Sequence, residues 1–174
     1  MREIPYNHES GNLPPTLASI PFLSRLDGSL LDDVLAHSAI IECDPGDTII
    51  SEGEISDFFV ILLRGAVKIT KSGETVAELD GSGQMIGELA LLNDAARSAT
   101  VTTTSPAFCL RVESGFINKL ADADRNAFFA ILYQFVAGIL ADRLTDCSTR
   151  LAKREEEIQQ LKSGPSPDSG RFKL

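Results

Sequence analysis

The stretch Gly87-Glu88-Leu89-Ala90-Leu91-Leu92, followed four residues later by Arg97-Ser98-Ala99-Thr100-Val101, gathers the residue types of an anion pocket within a short span. Gly81 and Gly83 punctuate a turn just upstream, and Gly87 lets the backbone come close to an occupant. The run from Glu88 to Leu92 is helix-prone. Unpaired N–H groups at a helix start, together with the positive end of the dipole, attract a phosphate. Arg97 can bring a guanidinium fork to the same oxygens. A carboxylate beside a phosphate would repel it, so Glu88 is expected to face a neutral hydroxyl, such as one on a ribose, and to accept its hydrogen bond. Ser98 adds a small hydroxyl next to Arg97.

The elements that must position these residues follow from periodicity. Residues 1–15 carry Pro5, Gly11, Pro14 and Pro15 and are expected to form a flexible arm. Between Thr16 and Ala36, Leu17, Ile20, Phe22, Leu23, Leu26, Leu31, Val34 and Leu35 fit short helices interrupted at Pro21 and Asp27-Gly28, with Ser29 as a cap of the second. The period then changes to that of strands, expected at 39–42, 48–51, 58–63, 66–71, 75–79, 84–86, 98–104 and 107–112. Pro45-Gly46-Asp47, Gly53, Gly65, Ser72-Gly73 and Gly81-Ser82-Gly83 supply the corners. Phe58 to Leu63 is apolar throughout and reads as a central strand. The fold class is therefore mainly β with flanking α, an eight-stranded antiparallel jelly-roll barrel.

From Ser114 the helical period returns. Ser114 is expected to cap a short helix to Leu120, and Asp122 or Asp124 a long one ending near Lys162. Phe128, Phe129, Ile131, Leu132, Phe135, Val136, Ile139 and Leu140 cover too much of its first half for a one-sided surface helix. Gly138 within it suggests the close approach of another backbone. Leu140, Leu144, Cys147, Leu151, Arg154, Ile158 and Leu161 then alternate steps of four and three, the seam of a parallel homodimer with one charged interruption. Residues 163–174 are rich in Gly, Pro and Ser and are expected to be disordered. The expected division is an arm over 1–15, a ligand-binding domain over 16–122, the long helix over 123–162 and a tail over 163–174.

The Gly87 to Leu92 and Arg97 to Val101 pattern resembles the phosphate-binding cassette of the cyclic nucleotide-binding domain family, without a gap between glutamate and arginine. Ile86 stands where an aromatic residue is common, and Ala96 where a proline often precedes the arginine. The resemblance implies that Glu88 holds the ribose 2′-hydroxyl, that Arg97 pairs with the cyclic phosphate, and that amides near Leu89 and Ala90 complete the cradle with Gly87, Ser98 and Ala99. The Arg-Ser-Ala order is similar to that of the catabolite-activator branch, where the long helix makes the dimer and meets the base. Through that likeness Ser148 falls where a purine ring nitrogen would be met. Ser98 and the same likeness favour cyclic AMP over cyclic GMP as the regulatory ligand. The twelve residues after the helix are too few for the helix-turn-helix that follows it in transcription factors of the family, so direct gene regulation is not expected.

Composition narrows the classes further. At 174 residues and 43% hydrophobic content, the chain can bury a substantial core. A formal net charge of -9 argues against nucleic acid or an anionic membrane as the main partner. Cys43, Cys109 and Cys147 are odd in number and far apart, which points to a reducing compartment, and no metal spacing appears. Met1 to Leu13 lacks the apolar core of a signal peptide, and no run approaches the ~18 apolar residues of a membrane span, so a cytoplasmic protein is expected. Two histidines and no clustered carboxylates leave no acid–base constellation, so no enzyme is expected. The reading is a stand-alone cyclic nucleotide sensor that signals to an unidentified protein effector by moving its C-terminal helix. The alternative is a ligand-free, dimeric scaffold that keeps the fold.

Overall fold

The computed structural model describes residues 1–7, 13–88 and 96–162. They divide into two units, Met1–Tyr133 and Gln134–Leu174. The first unit is mainly β, and the second carries most of a long C-terminal helix.

All eight expected strands are present: β2 (Ser38–Cys43), β3 (Thr48–Ile50), β4 (Phe58–Arg64), β5 (Ala66–Lys71), β6 (Glu74–Asp80), β7 (Met85–Ile86), β8 (Thr100–Thr103) and β9 (Ala107–Glu113). A ninth, β1 (Arg2–Pro5), lies where an irregular arm was expected. Its four residues are all exposed, so no apolar alternation announces it. Pairing with β2 defines it, from Arg2 opposite Glu42 to Pro5 opposite Ala39. The proline sits on this edge strand, where a missing donor is tolerated. The strands form two antiparallel sheets, ordered β1-β2-β9-β4-β7 and β3-β8-β5-β6. Among the described residues no pairing joins these sheets into the closed eight-stranded barrel that was expected.

The apolar run of β4 is explained by its place inside its sheet, hydrogen-bonded between β9 and β7, with Phe58 to Leu62 buried on both faces. Phe58, Val60 and Leu62 join Ile41, Ile50, Val67, Val101 and Cys109 in the core between the sheets. Phe59 meets Phe22 edge-on, with ring centroids 5.9 Å apart. Phe22 precedes a 3-10 turn, Leu23–Arg25, between the short helices α1 (Pro15–Ala18) and α2 (Gly28–Ala36). Gly65 joins β4 to β5 at φ 102°, and a side chain there would lie 2.6 Å from the Pro106 carbonyl, so only glycine fits.

A 3-10 turn over Ser114–Lys119 leads to α3, Asp122–Lys162. Ser114 does not cap that turn. Its hydroxyl donates to the Asp57 carbonyl, tying the turn to the loop before β4. Phe128 of α3 is fully buried between Phe22 at 6.1 Å and Phe116 at 5.8 Å, both edge-on. Contrary to the expectation of no span-length apolar run, α3 contains an 18-residue window that could cross a membrane by length and composition alone. Phe128 and Leu132, near its start, are instead fully buried in the first unit. A Cβ at Gly138 would meet nothing within 4 Å, so among the described residues no neighbouring backbone requires this glycine. Farther along, Leu140, Leu144, Leu151, Ile158 and Leu161, on the expected seam, are exposed. The tail over 163–174 lies outside the described residues.

Candidate functional site

Arg97 stands just before β8, and its main chain is clamped at both ends to the loop between β3 and β4. Its amide donates to the Glu54 carbonyl at 2.8 Å, and its own carbonyl accepts from the Gly53 amide at 2.8 Å. Beside it, the Glu52 amide donates to Thr100 Oγ1 at 3.0 Å. These bonds continue the pairing of β3 with β8 and fix where the arginine side chain starts.

That side chain is only 4% exposed. Its Nε donates to Ser56 Oγ at 2.9 Å, Nη1 to the Gly87 carbonyl at 2.8 Å, and Nη2 to the Phe58 carbonyl. Its Cζ also lies 4.7 Å from the centroid of the Phe58 ring. A guanidinium carries five N–H groups, so among the described residues three donated bonds leave one N–H on each terminal nitrogen, a pair suited to two oxygens of one anion. Burial pushes the Arg97 pKa below its ordinary value, and the carboxylates of Glu54, Asp57 and Glu88 push it back up. An arginine remains charged in such a setting, so the site holds a desolvated cation.

Gly87 adopts φ 85°, and a Cβ there would lie 2.8 Å from Arg97 Nη1 and 3.0 Å from Ile50 Cδ1. The glycine is therefore required by the arginine as well as by the turn. Gly87→Ala is expected to destabilise the fold by about 1–3 kcal/mol in chemical denaturation. An unchanged midpoint would show that the fork moves aside freely. Glu88 is buried at 2% exposure, where an ionised carboxylate requires partners. It lies close enough to Arg97 for its charge to act on it. Ser98 is exposed and Ala99 partly buried as the chain enters β8. Leu89 and Ala90, expected to give cradle amides, lie outside the described residues. Ser148 is exposed on α3 in the second unit.

Sequence reading did not identify Ser56 and Phe58 as the partners of Arg97. They are 41 and 39 residues away in the chain, and no motif marks them. Cys43 and Cys109 are buried strand residues, with burial pushing the Cys109 thiol up to about 12, so it is no nucleophile at neutral pH. No cluster that could hold a metal is present among the described residues.

Residues 40–124 match the profile of the family described as the cyclic nucleotide-binding domain. A cAMP-dependent protein kinase regulatory subunit from Yarrowia lipolytica is 41% identical over 82 residues, 47% of this chain and 22% of that protein. The human cGMP-dependent protein kinase 2 is 30% identical over 144 residues, 79% of this chain and 18% of that protein. The chain thus spans about a fifth of the length of these relatives. In structure, a protein from Geobacter metallireducens GS-15 assigned to cyclic nucleotide binding superposes with a TM-score of 0.66 at 22% identity, over 75% of this chain and 97% of that one. That likeness carries the fold. The cassette residues Gly87, Glu88 and Arg97 converge in this fold and lie within residues 40–124, the part of the chain that matches the cyclic nucleotide-binding domain family.

Proposed function

We propose that the protein is a cytoplasmic cyclic nucleotide receptor without catalytic activity, which binds a 3′,5′-cyclic purine nucleotide and signals through a protein effector by shifting its C-terminal helix. The observation that carries this reading is the Arg97 fork: buried, charged, held by three bonds to the protein, and with two N–H groups that no described residue takes up. Glu88 supplies the acceptor for the ribose hydroxyl, with Gly87, Leu89, Ala90, Ser98 and Ala99 around the phosphate and Ser148 toward the base. Cyclic AMP is favoured over cyclic GMP. A ligand that binds one helix position better stabilises it, and the effector's affinity changes by the same free energy. Calorimetry with a panel of cyclic AMP, cyclic GMP and cyclic dinucleotides tests this. Saturable binding of one cyclic mononucleotide is expected, and no heat from any of them would overturn it.

The self-sufficiency of Arg97 favours a second reading. Its three internal bonds let the fold persist without a ligand, as a dimeric scaffold would need. The same calorimetric panel separates the two.

Both readings use a homodimer through α3. With Leu140, Cys147, Arg154 and Leu161 at d positions and Leu144, Leu151 and Ile158 at a positions, Arg150 falls at g and Glu155 at the following e. In a parallel, in-register dimer these two meet across the interface with opposite charge. Truncation after Gly138 is expected to leave a monomer in ultracentrifugation, whereas Arg154→Leu should tighten the dimer about tenfold or more by replacing facing like charges with apolar contact. A dimer of unaltered stability after truncation would place the interface elsewhere.

A further inference from the structure

Two guanidinium groups share the Phe58 ring. Arg97 Cζ lies 4.7 Å from its centroid and Arg111 Cζ 4.3 Å. Arg111 stands on β9 between Ala39 of β2 and Val60 of β4. Its Nη2 pairs with Glu113 at 2.6 Å, and its Nη1 with Glu3 of β1 at 3.0 Å. Its Nε is buried with no hydrogen-bond partner among the described residues. A buried donor left unpaired is costly, so the ring and the two carboxylates must hold the guanidinium against that cost. Phe58 is therefore fixed by Arg111 at its ring and by Arg97 at both ring and carbonyl.

β1 is the edge strand, exposed along its whole length. Besides its ladder with β2, it is held by ion pairs from Arg2 to Glu42 and from Glu3 to Arg111. Glu3 thus touches the residue that fixes the ring beneath Arg97. Arg111 also acts on Arg97 as a like charge, which Glu3 and Glu113 offset.

We propose that Arg111 is a positioning residue for Arg97, acting through the Phe58 ring, and that its ion pair with Glu3 links docking of β1 to anion affinity at Arg97. Releasing β1 frees Arg111 to leave the ring, and the Arg97 fork loses part of its support. By reciprocity, an anion seated on Arg97 strengthens the docking of β1. The ligand side of this linkage rests on the cyclic nucleotide reading, whereas the coupling between Arg97 and β1 is a property of the protein alone.

The experiment has two arms on the full chain. In the first, Glu3→Gln, an exposed change that removes the ion pair but keeps the Arg111 side chain, is expected to weaken cyclic AMP binding about two- to fivefold at low salt. The wild type should fall toward the variant at high salt as the ion pair is screened. Tighter binding by Glu3→Gln would mean that Arg111 acts only as a source of positive potential, and unchanged binding would mean that β1 is not linked; either overturns the proposal. The second arm needs no nucleotide. Hydrogen exchange at the Tyr6 amide, which donates to the Ser38 carbonyl at 3.1 Å, reports whether β1 is docked. Arg97→Gln is expected to speed that exchange about threefold or more in the ligand-free protein, and the effect should vanish in a Glu3→Gln background. Equal exchange in Arg97→Gln and wild type overturns the coupling. If no nucleotide binds the wild type, the receptor reading fails while this second arm still decides.

Discussion

Replacing Arg97 by alanine is expected to weaken cyclic nucleotide binding by about 2–5 kcal/mol, the loss when a desolvated anion is deprived of its counter-charge. The size follows from burial. Arg97 is 4% exposed, so water and salt screen it little, and a phosphate entering the site gives up hydration that this cation helps to replace. Alanine also strips a donor from the Gly87 and Phe58 carbonyls and from Ser56 Oγ, so a loss of stability should accompany the loss of affinity. Arg97→Lys separates the two effects. It keeps the charge but cannot reproduce a planar fork that bonds three wall groups and still presents two N–H groups. Its affinity should fall between those of wild type and alanine. Calorimetry on folded variants checks the order, and an Arg97→Ala protein that binds as the wild type does would remove the phosphate role from this residue.

Phe128→Ala is expected to cost about 3–5 kcal/mol of stability, a large share of the ~5–15 kcal/mol that holds a typical domain folded. Phe128 is fully buried, and its ring meets Phe22, Phe116 and Phe129 edge-on at 6.1, 5.8 and 6.0 Å. Removing it leaves a cavity that three rigid rings cannot easily close. The consequence reaches the binding fold. Phe22 touches Phe59 of β4, and Phe116 belongs to the turn tied by Ser114 to the carbonyl of Asp57, one residue before Phe58. Phe128→Leu, which keeps most of the apolar volume, should cost under about 1.5 kcal/mol. Chemical denaturation measures both. An alanine variant as stable as the leucine one would show that the start of α3 contributes little to the first unit.

The local grammar of this chain is strong where an element owes its form to its own residues. Short strand-like segments between turn residues located β2 through β9, with β4 apolar throughout, and the helical period after Asp122 located α3, Asp122–Lys162. β1 escaped because its residues are exposed on every side, and its strand form comes from bonds to β2, about forty residues on. Ser114 went to the Asp57 carbonyl instead of capping its own turn, and Gly138 faces open space, so each had a plausible local role that tertiary placement did not use.

At the site the division is just as clear. Residue type and spacing, together with the family resemblance they carry, brought Gly87, Glu88 and Arg97 together as candidates, because glycine adopts a positive φ freely, a carboxylate accepts hydrogen bonds and a guanidinium donates a fork. Only the folded chain decided that Ser56, Phe58 and the Gly87 carbonyl hold the fork, that Arg111 shares its ring, and that Glu3 reaches Arg111 across 108 residues. Contacts of that sequence separation arise from which strands lie side by side, and strand order is set by packing of the whole core between the two sheets, which no short stretch of residues encodes.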